Sequence, residues 1–155
     1  MNTNLSVFLC PSSPPAPARG SNPSGWDGPG SNYGWSTGSS VETVWGGTRF
    51  NGIVSYQTDT KMGDVTDGLS NTIFVGEVLP SQHDHLPGGD WWNYNSGAAH
   101  VTTIIPINGP KTGSNGSCGS GAAIQRWDNW NMSWGFRSNH TNGCNFLFGH
   151  GSVKF

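Results

Sequence analysis

The residues best suited to metal chemistry are His83, Asp84 and His85, which follow one another in a polar segment shortly before Asp90. Imidazole and carboxylate ligands together suit zinc or copper. A His-x-His pair brings both rings to one side only in an extended segment, and no third ligand stands at a diagnostic spacing. A polar surface loop is therefore the favoured interpretation. We predict no cofactor, with zinc or calcium as the metals to test.

Glu77 is the carboxylate whose setting is most unusual, because it follows Gly76 at the end of an apolar run. We expect its side chain to be buried and paired, since a buried carboxylate needs a donor. Candidate donors are Arg49, Arg126 and Arg137. A catalytic carboxylate is the alternative, but the sequence contains no Gly-x-Ser-x-Gly elbow, no phosphate-binding loop and no Cys and His signature. We therefore predict that the protein is not an enzyme and assign no catalytic residue.

Eight tryptophans give the strongest indication of ligand binding. They are Trp26, Trp35, Trp45, Trp91, Trp92, Trp127, Trp130 and Trp134. Exposed indoles stack on sugar rings, and Trp91 and Trp92 next to Asp90 are candidates for contacting a polysaccharide. Each ring also buries about 150 to 250 Å² in a core. Because the chain has few other large apolar residues, we expect most of the tryptophans to be internal.

The composition indicates one folded domain spanning residues 1–155. Gly and Pro occupy 24 and 10 positions, which predicts many turns, while 8 Trp, 7 Phe and 3 Tyr argue against disorder. A net charge of -2, with seven basic residues, excludes the basic surface that nucleic-acid binding requires. No apolar run approaches the ~20 residues of a membrane span, so we predict no membrane segment in this chain.

Three cysteines, Cys10, Cys118 and Cys144, cannot all pair within one chain. The abundance of Asn, Ser, Thr and Gly with little Lys is a composition associated with secreted bacterial surface proteins. It favours a disulfide between Cys118 and Cys144, with Cys10 left over, and predicts an extracellular or cell-surface location.

The elements that must position these residues are short strands between long loops rich in Gly, Ser and Asn. The clearest predicted strand is residues 72–79, and a C-terminal hairpin joins residues 145–148 to 152–155 through Gly149-His150-Gly151. Further strands are predicted over residues 5–10, 31–35, 52–56 and 100–107, and a helical turn near 122–130. The predicted fold class is α+β, mainly β, with an antiparallel sheet.

Three ordered motifs covering most of the chain resemble those of a large bacterial family of prepilin-type proteins. The segment FLCPSSP resembles its Cys-Pro-Ser motif, and DGLSNTIFVGE resembles its Asp-Gly-x-Ser-Asn-Thr motif ending in Gly-Glu. Near the C-terminus, His140, nine residues and His150-Gly151 match a His-x(9)-Asp-Gly pattern, with His150 in place of the Asp. The matching residues are Cys10, Pro11, Ser12, Asp67, Gly68, Ser70, Asn71, Thr72, Glu77, His140, His150 and Gly151.

The resemblance implies the β-sheet head of a type IV pilin or pseudopilin, without the N-terminal pilin helix of full members. It implies an exported structural or adhesive subunit that self-associates or binds other pilin-like subunits. A glycan- or solute-binding module is the alternative. Pseudopilin heads also bind calcium in C-terminal loops, but His150 removes a hard oxygen ligand there, so we expect no calcium at this loop.

Overall fold

Five short strands form one mixed sheet in the part of the chain that the computed structural model describes, residues 5–13, 31–39, 51–54, 59–79, 100–108 and 135–155. They are β1 (Tyr33–Ser36), β2 (Ile73–Glu77), β3 (His100–Val101), β4 (Phe146–Phe148) and β5 (Val153–Lys154). Two 3-10 helices cover Ser6–Phe8 and Met62–Asp64. None of the helices in these ranges has the length and hydropathy that a membrane crossing requires.

The strand order is β3-β1-β2-β4-β5, with β2 in the centre. The β1–β2, β2–β4 and β4–β5 pairs are antiparallel, which confirms the predicted mainly β, antiparallel architecture for these four strands. The exception is β3, which runs parallel to β1. A parallel pair needs a long crossover connection, and here that connection includes β2, which lies on the other side of β1.

The C-terminal hairpin forms as predicted. The turn between β4 and β5 is closed by two backbone hydrogen bonds, from the Gly151 amide to the Phe148 carbonyl at 2.8 Å and from the Phe148 amide to the Ser152 carbonyl at 2.9 Å. Gly151 has a φ of 93°, a conformation that residues with a Cβ rarely adopt. The positive φ at position 151 explains why a glycine stands there, directly after His150.

The strand predicted over 5–10 is wrong, and the one predicted over 100–107 is shorter than predicted. The strand predicted over 52–56 does not form over residues 52–54, and residues 55–56 lie outside the described residues. Residues 5–10 contain the 3-10 helix Ser6–Phe8. Their backbone contacts Asn32 without forming a ladder: the Asn32 amide donates to the Phe8 carbonyl at 2.8 Å, and the Cys10 amide donates to Asn32 Oδ1 at 3.0 Å. Residues 51–53 form a bend, and the Gly52 amide donates a hydrogen bond to the Thr37 carbonyl at 2.9 Å. The strand predicted over 100–107 ends at Val101. The helical turn near 122–130 lies outside the described residues.

The core lies on one face of the sheet and is built from Val78, Val101, Phe136, Cys144 and Phe146. The rings of Phe136 and Phe146 meet edge to face, with centroids 5.0 Å apart. Gly76 lets them approach the sheet, because a Cβ there would lie 2.4 Å from a Phe136 ring carbon. The glycine before Glu77 is therefore a packing requirement.

Candidate functional site

The sheet face opposite the core carries an apolar groove of about 670 Å³. Its floor is one cross-strand row of four side chains, Trp35, Val75, Leu147 and Val153, which are register partners across β1, β2, β4 and β5. Because register partners point to the same side of a sheet, these side chains form a continuous surface. We call them the apolar row. The groove is also lined by Val7 and Phe8 of the N-terminal 3-10 helix.

At one end of the groove, four side chains from three distant parts of the sequence meet. They are Cys10, Ser12, Glu77 and His140, which we call the Glu77 cluster. Glu77 follows Val75 on the same sheet face and is only 3% exposed. The predicted burial of this carboxylate is confirmed.

Within the described residues, the side-chain partners of the Glu77 carboxylate are Asn145, His140 and Cys10. The Asn145 amide nitrogen donates to Oε2 at 2.8 Å, and its side-chain Nδ2 donates to Oε1 at 3.2 Å. His140 Nε2 lies 3.2 Å from the same Oε1, and Cys10 Sγ lies 3.4 Å from it. Of the arginines expected as donors, Arg49 and Arg126 lie outside the described residues, and the Arg137 amide donates to the Glu77 backbone carbonyl at 2.9 Å. The sequence prediction did not include Asn145, whose only signal is its place at the start of the predicted strand 145–148.

The turn after Cys10 positions the thiol and the hydroxyl. The Ser13 amide donates to the Cys10 carbonyl at 3.0 Å, which closes a turn through Pro11. This turn brings Ser12 Oγ to 3.0 Å from Cys10 Sγ and to 3.1 Å from His140 Nε2. The Cys-Pro-Ser motif therefore supplies two polar atoms to the Glu77 cluster, and Pro11 shapes the turn between them.

His140 is oriented by the loop that precedes β4. The His140 amide donates to Ser138 Oγ at 3.1 Å, and Ser138 Oγ donates to the Gly143 carbonyl at 2.5 Å. The imidazole also meets the Phe155 ring edge to face, with centroids 6.0 Å apart. Backbone and ring contacts thus fix the imidazole with Nε2 toward Glu77.

Burial alters the acidity of two nearby groups. It raises the pKa of the Tyr33 phenol, which faces Glu77 across the β1–β2 pair, and the acidic groups of Cys10 and Glu77 raise it further. Burial also raises the pKa of the Cys144 thiol to about 11. Cys144 carries a free thiol and lies in the core, whereas we expected a disulfide to Cys118, which lies outside the described residues.

The other motif residues form a separate turn cluster at the beginning of β2. Asn71 Nδ2 donates to the Asp67 carbonyl at 3.1 Å, and Thr72 Oγ1 donates to the Gly68 carbonyl at 3.0 Å. The hairpin turn docks there, because the Gly149 amide donates to the Thr72 carbonyl at 3.1 Å. His150 Nδ1 lies 3.4 Å from the Leu69 carbonyl, and Ser70 is exposed. These residues shape turns, whereas His140 joins the Glu77 cluster.

Several predicted site residues lie outside the described residues: His83, Asp84, His85, Trp91, Trp92 and Cys118. Trp35 is the one tryptophan within the described residues, and it is 45% exposed in the groove. In the described part of the chain, the side chains that could bind a metal together are Cys10, Glu77 and His140, with ligand atoms within 4.8 Å of one another.

Comparison with known proteins gives one result at the level of the family. The model of a family described as "Protein of unknown function (DUF1559)" matches residues 1–155, the whole chain. Neither a curated protein nor a solved structure matches the chain at a significant level. On this match, the chain belongs to the DUF1559 family of proteins of unknown function.

Proposed function

We propose that this chain is the sheet-built head of an exported structural or adhesive subunit in a pilus-like or other extracellular surface assembly. The observation that supports the proposal is the apolar row, which stays open on one sheet face and runs out to the edge strand β5. Trp35 is 45% exposed, Val153 65% and the adjacent Phe155 69%. Apolar side chains grouped in this way are typical of surfaces that bind another protein.

The partner that we propose is a second copy of the chain or a related pilin-like subunit, which adds a strand beside β5. Among the described residues, β5 pairs with β4 alone. Its outer backbone groups can therefore accept a further strand, as exposed sheet edges do. Such a strand would extend the apolar row and bury Val153, and burying one valine side chain contributes about 1.5 to 3 kcal/mol.

The charge of the chain supports close packing of copies. The net charge is only -2 over 155 residues, so electrostatic repulsion between identical subunits is small. The resemblance of the three sequence motifs to prepilin-type proteins supports export of such a subunit to the cell surface.

The test compares two aspartate substitutions at exposed apolar positions. Val153→Asp places a charge at the end of the apolar row, whereas Met62→Asp places it on the 3-10 helix Met62–Asp64, at a residue that is 60% exposed and does not line the groove. We expect the unmodified chain to assemble with rising concentration in light scattering and to form filaments or sheets in electron micrographs. Val153→Asp should abolish assembly, and Met62→Asp should leave it unchanged.

Two results would contradict the proposal. The first is an unmodified chain that stays monomeric at high concentration in the presence of pilin-like subunits from the same cell. The second is equal assembly by the Val153→Asp and Met62→Asp variants, because the apolar row would then have no part in it.

The groove also favours a second candidate, a glycan- or solute-binding module. Its volume of about 670 Å³ lies in the range of small-molecule sites, and Trp35 offers an exposed indole beside the polar Glu77 cluster. Binding of soluble oligosaccharides should then change the tryptophan fluorescence of the unmodified chain and not that of Trp35→Phe. Unchanged fluorescence of both proteins across a polysaccharide panel would contradict this candidate.

A further inference from the structure

We propose that Cys10, Glu77 and His140 bind a divalent transition metal ion of the zinc type, with Ser12 beside the fourth coordination position. The first support is that all three side chains offer ligand atoms toward one point. Cys10 Sγ and His140 Nε2 both approach Glu77 Oε1, at 3.4 Å and 3.2 Å, and all three atoms lie within 4.8 Å of one another.

The separations of sulfur and nitrogen from the Glu77 oxygen fit a tetrahedral site. Zinc binds sulfur at about 2.3 Å, imidazole nitrogen at about 2.0 to 2.1 Å and carboxylate oxygen at about 2.0 to 2.2 Å. At tetrahedral angles, these lengths place sulfur about 3.6 Å and nitrogen about 3.4 Å from the oxygen. The observed 3.4 Å and 3.2 Å are each about 0.2 Å shorter than these values, so a small outward movement of the side chains accommodates the ion.

The donor set selects the class of metal. A thiolate and an imidazole favour zinc and similar transition metals, whereas calcium and magnesium prefer sites made of oxygen ligands. Three protein ligands leave one tetrahedral position for water or another ligand. Ser12 Oγ lies 3.0 Å from Cys10 Sγ and 3.1 Å from His140 Nε2, on the wall of the groove. The fourth position is therefore next to the groove.

The proposed ligand Glu77 also has hydrogen-bond donors that orient it. Asn145 donates to both carboxylate oxygens of Glu77, at 2.8 Å and 3.2 Å, which fixes the plane of the carboxylate. Such outer hydrogen bonds orient the ligands of metal sites. The cluster is buried at Cys10 and Glu77 and half-buried at His140, so an ion can reach it from the side of His140.

A nucleophilic relay is the competing interpretation of a Cys, His and Glu cluster, and the geometry disfavours it. In a relay, the imidazole bridges nucleophile and carboxylate through its two different nitrogens. Here Ser12 Oγ and Glu77 Oε1 both approach the same nitrogen, Nε2. Convergence on one point is the arrangement of metal ligands.

The experiment is a titration of the full, reduced chain with Zn²⁺ in competition with a chromophoric chelator, followed by absorption spectroscopy with Co²⁺. We expect one ion per chain and a thiolate-to-cobalt charge-transfer band, with release of the Cys10 thiol proton to solvent. His140→Ala should lower the zinc affinity by more than about tenfold, since loss of an outer partner alone costs that much. Cys10→Ser should abolish the cobalt band.

The matched control is His150→Ala, which removes an exposed imidazole from the turn cluster and should leave the affinity unchanged. Thermal unfolding without metal shows whether each variant is folded, and His140→Ala is the variant that carries the test because this residue is half-buried. Three results would overturn the proposal. The unmodified chain could bind no stoichiometric zinc, or the folded His140→Ala and Cys10→Ser variants could bind zinc as tightly as the unmodified chain does. In the third, His83→Ala abolishes zinc binding while His140→Ala and Cys10→Ser leave it intact.

Discussion

An alanine at position 76 tests whether the core packing next to Glu77 requires a glycine. The new Cβ would lie 2.4 Å from Cδ1 of Phe136 and 2.8 Å from Cδ1 of Phe146. Phe136 is 1% exposed and Phe146 8%, and the two rings already contact each other edge to face. Because neither ring can turn into solvent, the core has to shift. Overpacking of this kind costs about 1 to 3 kcal/mol, and we expect Gly76→Ala to lower the unfolding midpoint by about 2 to 12 °C.

The assay is thermal unfolding of Gly76→Ala beside Gly63→Ala. Gly63 lies in the 3-10 helix Met62–Asp64, and a Cβ there would meet no atom within 4 Å. Alanine at this position should therefore be neutral or stabilise by up to about 1 kcal/mol, through the lower entropy of the unfolded chain. If Gly76→Ala unfolds at the same temperature as Gly63→Ala, the core does not press on the sheet at Gly76 and the packing argument is wrong.

Three further predictions concern acidity and metal binding. Because burial raises the Cys144 pKa from 9.0 to about 11, the folded state holds this proton more tightly, and stability present below pH 9 should fall between pH 9 and about pH 11. The free energy of unfolding should decrease by about 2 to 3 kcal/mol over this range. Denaturant unfolding of Cys144→Ala at the same pH values should not show this decrease. Zinc at about 100 times its dissociation constant should stabilise the chain by about 2.7 kcal/mol, which raises the unfolding midpoint by roughly 5 to 11 °C. Scanning calorimetry with and without EDTA measures this increase, and an equal increase in His140→Ala would contradict the prediction. Asn145→Ala removes the side-chain donor at 3.2 Å from Glu77 Oε1 but keeps the backbone donor to Oε2. It should weaken zinc binding about tenfold or more in chelator competition, and unchanged affinity would show that the carboxylate needs no orientation from the Asn145 side chain.

The strands that the sequence predicts correctly are those with a continuous apolar run and a clear turn signal. β2 lies within the predicted run 72–79, and β4 and β5 flank the glycines of the hairpin. The apolar run 5–10 has similar local character, but its backbone hydrogen bonds with Asn32, 22 residues from Cys10, form no strand ladder. Local propensity does not report which segments find a strand partner, so this segment is wrongly predicted as a strand.

The Glu77 cluster shows a second limit of sequence reasoning. The resemblance singles out Cys10, Ser12, Glu77 and His140, but Cys10 and His140 are separated from Glu77 by 67 and 63 residues. Metal-site spacings are diagnostic only when ligands share a turn or a helix. The fold brings these residues together through three independent contacts: the Asn32 hydrogen bond, the β1–β2 register and the Ser138 loop. None of these contacts leaves a periodic signal in the sequence.

The central strand β2 explains why the motif residues fall into two groups. The strand begins at the turn cluster formed by residues 67–72 and ends at Glu77, and five residues of strand span about 17 Å. The hairpin turn contacts the first group through the Thr72 carbonyl, while His140 contacts the second. Substitutions in groups this far apart affect each other weakly. The turn cluster therefore determines where β2 begins, whereas the chemistry of the site depends on how Gly76 and Asn145 position Glu77 at the other end of the strand.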